Sequence, residues 1–274
     1  MEAILTMRFS NIRLLALALL ASAMLLVWPA AARSGTITVA TAATMRYAFE
    51  DIIHIFQRKT GHIVRPVYGS SGNFVSQVRQ GAPFDLFVAA DLKYPQVLLE
   101  EGLAMAPVQE YARGRLVLLL PKGSPLKADG SLADLRAAFA DGRLKKLAIA
   151  NPRLAPYGER AREALQHAGL WQAIEPNLVV GENVSQATQF VSTGAAQAGL
   201  VALSLAMAPQ LRDHTHYAVV PSHFHQPLAQ GVVVLKGSNP AAAQLQRFLM
   251  SPQARAILKR YGYEIPHAAG PAPK

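Results

Sequence analysis

The chain has no cysteine among its 274 residues. Disulfides and thiolate metal sites are therefore excluded, as is lipid attachment through an N-terminal cysteine. Neither a phosphate-loop lysine motif nor a Gly-x-Gly-x-x-Gly motif occurs, so no nucleotide cofactor is expected. Acidic residues are scarce, 17 against 27 basic ones. The positive balance suits an anionic ligand, a nucleic acid or an acidic membrane surface. No basic run exceeds two residues, which speaks against nucleic acid. There is no internal repeat, and low complexity is confined to the last few residues.

What is present begins with a leader. Arg8 and Arg13 precede an apolar run over residues 14–28, and Pro29-Ala30-Ala31-Ala32 supplies an Ala-x-Ala cleavage site after Ala32. Residues 1–32 read as a secretory signal peptide, with an uncleaved anchor as the alternative and Met7 as an alternative start. Without Arg8, Arg13 and Glu2, the 27 basic and 17 acidic residues fall to 25 and 16, a net charge of +9. Some 240 mature residues suffice for one large domain or two moderate ones.

The stretch from Val67 to Asp91 organises the rest. It leaves an apolar strand, turns through Gly69-Ser70-Ser71-Gly72, forms a short amphipathic helix through Phe74, Val75 and Val78, and re-enters a strand over residues 84–90. A hydroxyl-rich turn at a helix N-terminus can bind an anion, because the first N–H groups lack intrahelical partners and the helix dipole is positive there. A plain N-cap is the bland alternative. A nucleophilic serine is a third, although the elbow pattern Gly-x-Ser-x-Gly has Asn73 in its last place.

Strands and helices alternate from residue 36 to residue 260, which predicts an α/β protein with largely parallel sheets. Strands are expected at 36–40, 63–68, 116–120, 147–150, 178–180, 198–202, 217–220 and 232–235. Met45, Ala48, Phe49, Ile52, Ile53 and Phe56 follow the helical period up to Gly61. A helix over 92–101, with Asp91 as its N-cap, leads to an irregular connection through Pro107 and Tyr111. A change near Arg113-Gly114 divides the chain into one lobe over 33–113 plus 227–265 and a second over 114–226, with a disordered tail at 266–274. Two such lobes hold ligand in the cleft between them, beyond the carboxyl ends of strands, and close by a hinge.

Four strand-to-helix turns share one character: Ala42-Ala43-Thr44-Met45, Gly69-Ser70-Ser71-Gly72, Ala155-Pro156-Tyr157-Gly158 and Glu182-Asn183-Val184-Ser185. Each places small, hydroxyl, Gly or Pro residues where a helix starts, and Asn183 with Gln186 resembles a capping box. Singly each is a cap; jointly they could surround an oxyanion with N–H and O–H donors. Glu159 and Glu182 are the acids beside these turns, and both read as helix-start residues. A donor-only site favours sulfate or molybdate over phosphate, which keeps a proton that needs an acceptor. Arg46, Arg153 and Arg160 lie near the turns, with either solvated or field-raising roles.

Several motifs carry a family resemblance: Ile37-Thr38-Val39-Ala40 with Ala43-Thr44, Gly69-Ser70-Ser71-Gly72, Gly81-Ala82-Pro83-Phe84-Asp85-Leu86-Phe87-Val88-Ala89-Ala90-Asp91, Asn151-Pro152 with Ala155-Pro156-Tyr157-Gly158, and Arg260-Tyr261-Gly262-Tyr263. In this order they resemble the periplasmic molybdate-binding proteins of ABC importers. The resemblance implies a type II periplasmic binding protein fold and a monomeric, non-enzymatic receptor without cofactor. Such a receptor holds molybdate or tungstate in the periplasm and delivers it to a membrane permease. It also implies the site: Thr44 and Ser71 giving hydroxyl and backbone donors, with Ala43 adjacent, and Tyr157 and Val184 giving backbone N–H groups. One departure stands out, since Ala202 occupies a position where some members carry a ligand-binding tyrosine. The alternatives are a receptor for sulfate, phosphate or another small anion, and a periplasmic hydrolase using Ser70 or Ser71. His214, His216, His223 and His225, as two His-x-His pairs, offer a third, a zinc or copper site.

Overall fold

The computed structural model describes residues 35–266. The expected signal peptide, and the expected tail from residue 267 on, lie outside the described residues. Ten strands form two sheets: β1 (Thr36–Ala42), β2 (Ile63–Gly69), β3 (Leu86–Val88), β4 (Ala104–Gly114), β5 (Leu116–Pro121), β6 (Leu147–Ala150), β7 (Leu178–Gly181), β8 (Ala198–Ala202), β9 (Thr215–Val219) and β10 (Leu228–Leu235). The first sheet has the order β2-β1-β3-β10-β4 and the second β7-β6-β8-β5-β9. The chain passes from the first sheet to the second between β4 and β5 and returns between β9 and β10.

The helices that matter here are α1 (Arg46–Thr60), α2 (Ser71–Arg79), α3 (Lys93–Glu100), α4 (Ala133–Ala140), α5 (Pro156–His167), α6 (Val184–Ser192), the single turn α7 (Leu203–Ala206), α8 (Ala241–Leu249) and α9 (Pro252–Arg260). Helix α1 follows the predicted period, burying Ala48, Phe49, Ile52, Ile53 and Phe56. It ends at Gly61, whose φ of 73° is the left-handed geometry glycine adopts without strain. The Gly-Ala-Pro-x-Asp segment has a structural use: the Asp85 carboxylate accepts from Thr38 N at 2.7 Å and from Asn239 N at 2.7 Å. One side chain thus fixes the entry of β1 and the approach to α8.

Two expectations need correction. The sheets are mixed: β1 is parallel to β2 and β3, and β6 to β7 and β8, but β10 is antiparallel to β3 and β4, and β5 to β8 and β9. The antiparallel strands are those beside the crossings, where the chain leaves one sheet and returns. The supposed irregular connection through Pro107 and Tyr111 is the eleven-residue edge strand β4. Its register with β10 shifts between Val232 and Val234, which pair with Gln109 and Met105. An edge position and a register shift are where a sheet tolerates proline, which has no N–H to give.

Each sheet with its helices is one lobe. The first carries an apolar core on each face, around Phe49, Phe56 and Leu245 on one side and Phe74, Phe87 and Leu98 on the other. The core of the second, around Leu118, Ile149 and Leu200, continues into Ala42, Ala43 and Ala90 of the first. Packing therefore runs unbroken beneath the place where the lobes meet.

Candidate functional site: an enclosed donor-lined cavity

All four predicted turns converge on one small cavity. It is lined by Ala42, Ala43, Thr44, Gly69, Ser70, Ser71, Ala90, Ala155, Pro156, Tyr157, Asn183 and Val184. It is far smaller than the roughly 300–1,000 Å³ of pockets for drug-sized ligands. A sugar or peptide does not fit. A larger groove of about 510 Å³ lies on the second lobe beside Trp171, Arg162 and Val180, and none of the predicted site residues lines it.

Thr44, Ser71, Ala43, Tyr157 and Val184 are thus brought together, each buried to within 4 % of full exclusion. Thr44 sits in a single 3-10 turn after β1. Its Oγ1 lies 3.0 Å from both Ser204 Oγ and Tyr263 Oη. Ser71 opens α2, and its Oγ accepts from Ala90 N at 3.1 Å. A hydroxyl that accepts an N–H still has its own hydrogen to donate. Val184 opens α6 under the Asn183 cap, whose Oδ1 accepts from Ser185 N and Gln186 N and not from Val184 N. The anticipated capping box is shifted by one residue, because Gln186 Oε1 reaches back to Glu182 N at 2.7 Å rather than to Asn183. Pro156 and Tyr157 begin α5, where proline at the first position forfeits an N–H that has no helical partner anyway.

The Tyr157 side chain reaches Gln230 at the junction between the lobes. Its hydroxyl accepts from Gln230 Nε2 at 3.3 Å, and Gln230 Oε1 in turn accepts from Tyr111 Oη at 2.7 Å. Burial raises the Tyr157 and Tyr111 hydroxyls above the usual phenol range and pushes Tyr263 up to about 12. These groups stay protonated, and hence available as donors, at any physiological pH. Gln230 was not singled out from the sequence; a fully buried glutamine within an apolar strand was the available signal. Ala90, Pro156 and Asn183 complete the lining by virtue of their neighbours.

Among the described residues, no Asp, Glu, Lys, Arg or His lines the cavity. Glu159 and Arg160 pair with each other at 3.0 Å, and Arg160 also pairs with Glu163. Arg46 stacks on the Tyr68 ring at 4.8 Å. Among the described residues neither Ser70 nor Ser71 has an imidazole partner to act as the base a hydrolase would need. Among the described residues no group of three or more His, Asp or Glu is placed to hold a metal ion. The His-x-His pairs do not share a strand: His216 lies in β9, while His223 lies in a 3-10 turn, against the rings of His167 and Phe224.

The lobes touch at the cavity mouth. Gly72 N, in the first turn of α2, donates to Leu154 O at 2.8 Å, and Tyr94 Oη donates to Arg153 O at 3.4 Å. This is a cleft with its walls in contact.

Residues 37–264 match the family model described as bacterial extracellular solute-binding protein. The molybdate-binding protein ModA of Rhodobacter capsulatus is 38 % identical over 89 % of this chain and 93 % of its own length. That of Azotobacter vinelandii is 39 % identical over 86 % and 92 %. Among solved structures, the periplasmic molybdate-binding protein of Azotobacter vinelandii superposes with a TM-score of 0.77 at 30 % identity, covering 84 % of this chain and all of that one. On these grounds, and with the two-lobed fold and enclosed cleft in hand, the chain belongs to the bacterial extracellular solute-binding protein family, within its ModA group.

Proposed function

We propose that this chain is a periplasmic receptor that captures molybdate, or tungstate, in the interlobe cavity and delivers it to the membrane permease of an ABC importer. It acts as a monomer, after removal of the leader at Ala32. The observation that carries this reading is the cavity's chemistry: small, enclosed, lined by hydroxyls and helix N-termini from both lobes, and free of charged side chains. A dianion is held there by charge-assisted hydrogen bonds, each worth roughly 1.5–3 kcal/mol net, with added favour from the dipoles of α2, α5 and α6. The donors are the hydroxyls of Thr44 and Ser71 and backbone N–H groups of the Ala43–Thr44 turn, Ser71, Tyr157 and Val184. Without a carboxylate in the lining, the proton of hydrogen phosphate has no strong acceptor. Molybdate and tungstate arrive fully ionised. The likeness to proteins named for molybdate supports the same cargo, and the family is one of binding proteins, not enzymes.

The test is a thermal melt of the mature chain, freed of ligand, with molybdate, tungstate, sulfate and phosphate at equal excess. At a thousand times its dissociation constant a ligand adds roughly 4 kcal/mol of stability, seen as a raised midpoint. Strong stabilisation by molybdate and tungstate alone is the expected result. Equal stabilisation by sulfate or phosphate would make the site a general oxyanion cleft.

A further inference from the structure

Ser70 stands immediately before α2 with an extended backbone, φ −86° and ψ 145°, the conformation of an N-cap residue. An N-cap serine ordinarily turns its hydroxyl onto the N–H of the second or third helical residue. Here it does not. The Ser70 side chain makes no capping bond. The N–H of Gly72 goes instead to Leu154 O across the cleft, and Phe74 N bonds the Ser70 carbonyl. Ser70 is 3 % exposed, its Oγ is buried without a hydrogen-bond partner among the described residues, and the residue lines the cavity.

A buried hydroxyl with no partner is uncommon and asks for a reason. The other two serine and threonine hydroxyls of the lining are engaged, Thr44 with Ser204 and Tyr263 and Ser71 with Ala90 N. Ser70 alone has both its hydrogen and its lone pairs uncommitted. An uncommitted donor facing a cavity built for an anion is accounted for when the anion is its partner.

We infer that the Ser70 hydroxyl is a direct donor to the bound oxyanion, making the β2–α2 turn a pair of consecutive hydroxyl ligands, Ser70 and Ser71. The inference rests on the oxyanion-receptor reading and adds a ligand residue to it. It also separates Ser70 from a cap in a measurable way. A capping serine stabilises the empty protein; an orphan hydroxyl does not, so its removal leaves the empty protein as stable as before or more so.

The experiment is calorimetric titration of the mature wild-type chain, Ser70→Ala and Ser70→Gly with sodium molybdate, alongside thermal melts without ligand. Glycine is a well-tolerated N-cap and provides a second variant should alanine disturb folding. The expected result is a molybdate affinity lower by roughly 10- to 100-fold in both variants, with unliganded midpoints equal to or above wild type. Wild-type affinity in the variants overturns the inference, and so does an unliganded midpoint that falls in both, which identifies Ser70 as a structural cap. A wild-type chain that binds neither molybdate nor tungstate overturns the receptor reading and this inference with it.

Discussion

The Ser204 hydroxyl donates to the Thr44 carbonyl at 2.9 Å, joining the first turn after β8 in one lobe to the turn after β1 in the other. Tyr263, at the C-terminal end of the first lobe, donates to the same carbonyl at 2.9 Å. With both hydrogens directed there, the Thr44 hydroxyl is the donor in its 3.0 Å contacts with Ser204 Oγ and Tyr263 Oη, and the three groups hold Thr44 in one orientation. Tyr263 and Ser204 lie outside the lining and act through Thr44. Ser204→Ala is expected to cost about 1 kcal/mol of stability and to weaken molybdate binding severalfold, seen in paired melts and titrations. A variant with unaltered affinity would show that Thr44 keeps its orientation without the interlobe bond.

Ser71 differs from Ser70 in what it does for the empty protein. Its Oγ accepts the buried N–H of Ala90, so Ser71→Ala strands that donor as well as removing a ligand contact. Both unliganded stability and molybdate affinity should fall, each by about 1–3 kcal/mol. Unchanged affinity would remove Ser71 from the site.

Val184→Ala provides the contrasting case. Only its backbone N–H is proposed to bind, so truncating the side chain should leave molybdate affinity within a few-fold of wild type. A loss above tenfold in titration would contradict the backbone assignment.

Gly72 reports on closure. A Cβ there would come within 2.8 Å of Leu154 O and 3.0 Å of Leu154 Cα, atoms of the opposite lobe's backbone. Within α2 alone alanine is the better helix former, by about 1 kcal/mol. Gly72→Ala should therefore melt no lower than wild type without ligand, yet bind molybdate at least tenfold more weakly because the walls are held apart. Small-angle scattering should register less ligand-induced compaction; full compaction with full affinity would refute the steric account.

Asp91 sits behind the cavity at 9 % exposure. Burial, with the charge of Glu159 from the other lobe adding to it, raises its carboxyl to about 6 despite the bond from Tyr94 N. The folded protein thus holds this proton more tightly than the unfolded chain, whose value is near 4. Its contribution to stability is full below pH 4, declines as the pH rises through 6, and is lost above that. Asp91→Asn keeps an acceptor for Tyr94 N without the buried charge. It should raise the melting midpoint at pH 8, by an amount corresponding to about 1–3 kcal/mol, and the advantage should vanish near pH 4. An advantage that is constant across this range would assign the effect to something other than titration.

Much of the site was legible because its parts are local. The period ending at Gly61, the Asn183 cap, Pro156 at a helix start and the paired glycines around Ser70-Ser71 are patterns within a few residues of one another. They place helix N-termini after strands whatever the rest of the chain does, and motif order then led to Thr44, Ser71, Tyr157 and Val184. Strand β4 was missed because Pro107 breaks the local pattern; its partner β10 follows more than a hundred residues later and accommodates the break through a register shift.

The sequence by itself determined the α/β alternation, the four turns, the donor-rich chemistry beside them and the scarcity of acids, since these follow from side-chain type and short-range hydrogen bonding. Only the tertiary structure decided which hydroxyls are committed and which are free. Thr44 meets Ser204 and Tyr263, 160 and 219 residues away, Tyr157 meets Gln230 across the junction, and the Gly72 N–H is taken by Leu154. Ser70 is left without a partner by the same packing. A donor's availability depends on every acceptor within about 3 Å of it, and those acceptors arrive from distant segments once the two lobes have come together.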